Sequence, residues 1–184
     1  IVLVVAVWIG TWPFTIIGWA LLWLGFTGYA LDMKEIIKKR IKKKLDQPFI
    51  FSLIAIGFGW LLHTTALLMT VLQVTNATVW SWLVYLYIMM WIIFSIMGYL
   101  YKIVPFLWWT HKYSGSVGKK DVPTLKAMIQ ETWGTILFTA MTFGVIGLAV
   151  TATIGLPGLT FTSQGILTVA SALYVISIAR VLTR

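Results

Sequence analysis

The side chains suited to acid–base, nucleophilic or metal chemistry are few: two histidines, His63 and His111, five carboxylates, and no cysteine. A disulfide framework, a thiolate zinc site and an iron–sulfur cluster are therefore excluded for this chain. His63 stands in the uncharged run Gly59-Trp60-Leu61-Leu62-His63-Thr64-Thr65, far from any flanking charge. An imidazole in such a setting is suited to ligate haem iron or copper, to contact a quinone headgroup, or to carry a proton. The alternative is a neutral ring hydrogen-bonded to Thr64, to Thr65 or to a carbonyl of a neighbouring helix. Both readings stay open at this level, with His63 as the cofactor-contact candidate. His111 lies ten residues beyond the end of the third apolar run, so the two histidines are not spaced to clamp one haem. Among the carboxylates, Asp32, Glu35, Asp46 and Asp121 fall in polar connections, and Glu131 opens the fourth apolar run. In a first helical turn Glu131 is favoured by the helix dipole. As a proton relay it has Lys126 as its nearby partner.

The elements that hold these residues follow from composition. Of 184 residues, 60% are hydrophobic and 10% charged, and mean hydropathy is +0.93. A soluble domain carries roughly 25% charged residues, so a water-soluble globule is excluded. Crossing about 30 Å of hydrocarbon takes about 20 apolar residues in a helix. Five stretches qualify: about 1–31, 49–74, 79–101 with a continuation towards 109, 132–154 and 161–182. Strand alternation is absent. The fold class expected is all-α, an integral membrane bundle of five transmembrane helices forming one membrane domain over 1–184. Pro13 is expected to kink the first span or mark its first turn, and Pro48 to open the second. The start, Ile1-Val2-Leu3-Val4-Val5, has no Met or basic region and reads as the interior of a longer polypeptide.

The fourteen basic residues give a net charge of +9 and are distributed unevenly. Lys34, Lys38, Lys39, Arg40, Lys42, Lys43 and Lys44 separate the first two spans. Lys102, Lys112, Lys119, Lys120 and Lys126 lie between the third and fourth, and Arg180 and Arg184 close the chain. The connections after the second and fourth spans carry no charge. The positive-inside rule then places the N-terminal end outside and the C-terminus in the cytoplasm of a bacterial inner membrane. Because topology accounts for the charge, a nucleic-acid partner is not expected. Met33–Leu45 sets Met33, Ile36, Ile37, Ile41 and Leu45 at spacings of three and four among basic residues. That pattern predicts an amphipathic helix at the headgroups, its seven cations towards the anionic lipid of the cytoplasmic leaflet. Residues 110–126 form the second cytoplasmic connection.

Trp12, Trp19 and Trp23 share much of one helical face, which suits either a planar pigment or packing on other helices. Gly18 with Gly25, Gly57 with Gly59, and Ala140 with Gly144 are expected at close helix contacts.

The stretch Gly98–Gly115, GYLYKIVPFLWWTHKYSG, followed by Val122-Pro123-Thr124-Leu125, resembles bacterial polytopic proteins related to subunit I of the haem–copper oxidases and nitric oxide reductases. The matching positions are Gly98, Tyr101, Lys102, Ile103, Pro105, Phe106, Trp109 and His111. The connector ending Lys44-Leu45-Asp46-x-Pro48 and the two closing spans also suit the C-terminal part of such a protein. The resemblance implies a respiratory, electron-transferring context with haem as an admissible cofactor. Relatives hold their metals with several intramembrane histidines, whereas Val79–Tyr101 has none. It therefore implies metal ligands upstream of Ile1 or lost in this member, and partners in other membrane subunits or in the upstream part of the same polypeptide. Two further readings stand beside it: a non-catalytic accessory subunit packing helices and lipid around a larger complex, and part of a small-molecule transporter.

Overall fold

In a computed structural model, residues 1–41, 44–118 and 121–183 are described. The protein is 87% helical, with no strand among the described residues. The helices are α1 (Val2–Ile9), α2 (Trp12–Lys39), α3 (Gln47–Val71), α4 (Ala77–Leu86), α5 (Phe94–Tyr113), α6 (Glu131–Ile154) and α7 (Pro157–Leu182). A π-helical segment, Tyr87–Ile93, joins α4 to α5, so that 77–116 is one helix of 40 residues. Among the described residues, five helices are long and apolar enough to cross a membrane, this one included.

The first apolar stretch does not form a single span from Ile1. Gly10 takes a left-handed conformation (φ 70°, ψ 24°) and its N–H closes α1 on the carbonyls of Ala6 and Val7. Extended Thr11 and Pro13 in the first turn then start α2. Pro13 thus marks a first turn because its missing N–H costs nothing there. Eight residues rise about 12 Å, too little to span, and α1 instead lies against the start of α2. There a Cβ on Gly18 would come within 2.7 Å of the Leu3 Cα.

The connector also departs from expectation. Residues 33–39 continue α2 rather than forming a separate helix at the headgroups, and Arg40 is extended (φ −64°, ψ 136°). Glu35 pairs with Lys39 at 2.5 Å. Further helix would set Lys38 and Lys42, Lys39 and Lys43, and Arg40 and Lys44 four apart, each pair costing roughly 0.2–0.5 kcal/mol. The cations of α2's last turn, Lys38 and Lys39, sit where its dipole favours them. Lys34 and Lys38 are exposed on α2 and Lys44 beyond it, while Lys42 and Lys43 lie outside the described residues, as do Lys119, Lys120 and Arg184.

The 40-residue helix is about 60 Å long, twice the thickness of the hydrocarbon. Asn76 caps its start, accepting from the N–H groups of Thr78 and Val79. Its surplus, with Lys102, His111 and Lys112, extends beyond the span, and a short 3₁₀ turn (Ser114–Ser116) ends it. Thr124 caps a second 3₁₀ turn, Leu125–Met128, after which Glu131 opens α6.

The chain divides into two compact units, Ile1–Lys44 with Ile54–Ile92, and Leu45–Leu53 with Ile93–Arg184. In the first, α2 meets the second part of α3 through tryptophans. Trp23 donates to Thr64 Oγ1 and Trp60 to Thr27 Oγ1, both at 2.9 Å, and Trp12 to the Thr70 carbonyl at 2.8 Å. Trp19 stacks on Trp80 beside the buried cluster Leu62, Ala66, Met69 and Leu83. The shared face of Trp12, Trp19 and Trp23 is thus spent on helix packing.

The second unit packs through aromatic rings and small residues. Phe138 of α6 stacks on Phe51 at 4.4 Å and tilts against Phe94 at 4.7 Å. Small residues admit neighbours: a Cβ on Gly98 would overlap Ser52, and one on Gly144 would reach within 3.0 Å of Leu167. Gly25 and Gly57, expected at contacts, have no such neighbour. Among the best-exposed helices are α2 and α7, only 11% of whose most apolar windows is buried.

Candidate functional site

His63 is placed by α3 with 2% exposure. Helical spacing puts the carbonyl of Gly59 one turn behind it, and Nδ1 meets that oxygen at 2.7 Å. A carbonyl only accepts, so Nδ1 carries the proton and Nε2 is left with a lone pair. That lone pair accepts from the hydroxyl of Tyr87 at 3.1 Å. One ring face stacks on Phe26 of α2 (4.5 Å, 27°), and the edges of Tyr87 and Trp91 approach at 5.1 and 5.6 Å. Gly59 makes the pocket possible, since a Cβ there would lie 2.6 Å from the Phe26 ring and 2.7 Å from Trp91. Tyr87 and Trp91 both belong to the π-helical segment. The widened turn shifts the register by which the ladder presents side chains, and such segments accumulate where packing or function demands it.

This arrangement is a closed aromatic cage around a fully hydrogen-bonded imidazole. A haem or copper ligand needs a free nitrogen lone pair and an open approach to it. Here the lone pair is engaged by Tyr87 and one face is covered by Phe26. As arranged, His63 does not fit a metal ligand, and no chemistry is derived through one. Thr64 and Thr65 do not serve the ring either; their hydroxyls bond the carbonyls of Trp60 and Leu61. Sequence reasoning missed Tyr87, Trp91 and Phe26. Gly59 was legible from i−4 spacing, but no local pattern ties His63 to a tyrosine 24 residues on or to a phenylalanine 37 residues back.

The other candidates are dispersed. Glu131 is half-buried in the first turn of α6, as expected of a dipole-favoured carboxylate. It makes no ion pair with Lys126 among the described residues. His111 is exposed near the end of α5, 6.0 Å from the Trp108 ring. No three His, Asp or Glu side chains gather as a metal-binding group among the described residues.

Within the segment Gly98–Gly115, Gly98, Tyr101, Lys102, Pro105 and Trp109 serve packing, whereas Ile103, Phe106 and His111 are exposed. Tyr101 is 2% exposed and bonds the Gln130 carbonyl at 3.2 Å and Ser177 Oγ at 3.1 Å. Gly134 makes room for its ring, 2.6 Å from where a Cβ would stand. Tyr174 stacks on Tyr101 at 5.7 Å and donates to the Met97 carbonyl at 2.7 Å. Lys102 bonds Asp46 at 3.1 Å and lies over the Phe49 ring. Pro105 is buried inside α5, and Trp109 donates to the Pro123 carbonyl at 2.7 Å. These contacts fasten α5 to α3, α6 and α7 within the second unit. Comparison with known protein families, with curated proteins and with solved structures finds no match.

Proposed function

We propose that the chain is the helical scaffold of a respiratory membrane protein related to haem–copper oxidase subunit I, set in a bacterial inner membrane with its basic connections in the cytoplasm. The observation that carries this reading is the use made of the segment resembling that family. Gly98, Tyr101, Lys102, Pro105 and Trp109 each make a packing or hydrogen-bonding contact that holds helix ends together. The caged imidazole of His63 supports the same division of labour, with redox ligands supplied by other helices of the same polypeptide or of partner subunits. The basic residues Lys34, Lys38, Lys39, Arg40, Lys42, Lys43 and Lys44 hold the anionic cytoplasmic leaflet. Each contributes on the order of 1 kcal/mol near such a surface.

The intact protein, purified from its own membrane with its partners, tests this through a reduced-minus-oxidised visible spectrum. A haem α-band is expected, unchanged in His63→Leu. An intact, cofactor-replete preparation with no haem absorption refutes the respiratory reading, and an α-band lost in the variant makes His63 a ligand. A second reading, an accessory subunit packing helices and lipid around a larger complex, is favoured by the exposed apolar surfaces of α2 and α7. It predicts the same spectrum only while the larger complex stays attached.

A further inference from the structure

We propose that the cavity between α6 and α7, at the end where Glu131 begins one and Leu182 ends the other, binds the phosphate headgroup of an anionic phospholipid. The cavity, about 350 Å³, is lined among others by Gln130, Trp133, Leu173, Ile176, Ser177 and Arg180. Leu173, Ile176, Ser177 and Arg180 follow one another at i, i+3, i+4 and i+7, which sets them on one face of α7. That face is graded: two apolar side chains, then a hydroxyl, then a guanidinium at the basic end. A phospholipid has the same order along its length, acyl chain, ester region and charged phosphate.

Two of the polar groups, Arg180 and Gln130, face the cavity without a competing partner among the described residues. Arg180 is exposed, and among the described residues no carboxylate pairs with it. Its planar fork matches two phosphate oxygens at once. Gln130 is exposed and makes no side-chain cap bond to α6, which leaves its amide to donate. Ser177 is backed by Tyr101, whose hydroxyl lies 3.1 Å away. Tyr101 gives its one proton to the Gln130 carbonyl and accepts from Ser177, which fixes the serine oxygen on the cavity wall. Trp133, 38% exposed, lines the same opening with an indole suited to the headgroup level. Glu131, next in sequence to Gln130, is not among the lining residues, and among the described residues no carboxylate lines the cavity. This site is distinct from the cluster at 34–44 and does not depend on the respiratory reading.

Native mass spectrometry of the detergent-purified protein, titrated separately with phosphatidylglycerol, phosphatidylcholine and inorganic phosphate, tests it. Phosphatidylglycerol is expected to be retained at least about tenfold more strongly than phosphatidylcholine. Arg180→Gln should abolish that preference, a loss of about tenfold or more for a charge-assisted hydrogen bond. Arg180→Lys should keep part of it, and Lys102→Gln, whose cation already pairs with Asp46, should leave it intact. Equal retention of the two lipids, an Arg180→Gln variant that behaves as wild type, or uptake of inorganic phosphate without phosphatidylglycerol overturns the proposal. Because Arg180 is exposed, its replacement leaves the packing of α6 on α7 in place, and an unchanged melting temperature in detergent checks this.

Discussion

The hydrogen bond between Tyr87 and His63 is open to a double-mutant cycle whose sign separates a caged structural imidazole from an idle one. Tyr87→Phe keeps the ring, and with it the edge contacts to Trp91 at 4.7 Å and to His63 at 5.1 Å. It removes only the hydroxyl proton that Nε2 accepts. In a site 2% exposed, the stranded lone pair meets no water. An unsatisfied buried acceptor costs about 1–3 kcal/mol, whereas hydrogen bonds between membrane helices average about 0.6 and reach about 1.7 kcal/mol. The 3.1 Å separation is long for an O–H···N bond. We therefore expect Tyr87→Phe to destabilise by about 1 kcal/mol. His63→Leu loses the same bond, the bond to Gly59 and the stack on Phe26, for about 2–3 kcal/mol in sum. In the double variant the hydrogen bond is lost once, so the two effects should fall short of additivity by about 1 kcal/mol. Reversible unfolding in mixed detergent micelles, followed by the near-ultraviolet signal of the surrounding tryptophans, measures all four proteins. Coupling within about 0.3 kcal/mol of zero would show that the two side chains do not share a bond, and the cage as described would be wrong.

Two further outcomes follow from the packing and the charge pattern. Gly134→Ala should destabilise by about 1–3 kcal/mol, because its Cβ must displace the buried Tyr101 ring. Gly165→Ala, in open space on α7, should stabilise by about 0.5–1 kcal/mol in the same unfolding assay. Since the chain has no cysteine, Val117→Cys and Ala77→Cys give clean single thiols. A membrane-impermeant maleimide added to intact cells should label the second and not the first, and the reverse pattern would invert the proposed orientation.

The resembling segment shows how local and tertiary information divide. Gly98 and Tyr101 were legible as a motif, but Ser52 against the glycine and Ser177 against the hydroxyl were not. A motif names residues that recur together, whereas the helix that fills a glycine's notch is chosen by the packing of distant segments. The first span begins at Trp12 and not at Ile1 for a local reason. Hydropathy over 1–31 is uninterrupted by charge, yet one glycine able to take positive φ, followed by Thr11 and Pro13, turns the chain back. A window average does not register one residue's backbone freedom.

The all-α class and the spans after the first follow from local sums, because the cost of burying charge or leaving a backbone amide unpaired in hydrocarbon is counted residue by residue. The solitude of His63 within its apolar run follows in the same way. What the imidazole does there is different in kind. The acceptor for its Nδ1 proton, the Gly59 carbonyl, is set by helix geometry, but the bond that Nε2 accepts from Tyr87 and the stack on Phe26 exist only once α2, α3 and the π-helical turn have packed. The sequence by itself determined that an ionisable ring stands within a helix apolar enough to cross a membrane. Only the tertiary structure decided that both its nitrogens are engaged, since hydrogen-bond partners distant in sequence are selected by packing and not by composition.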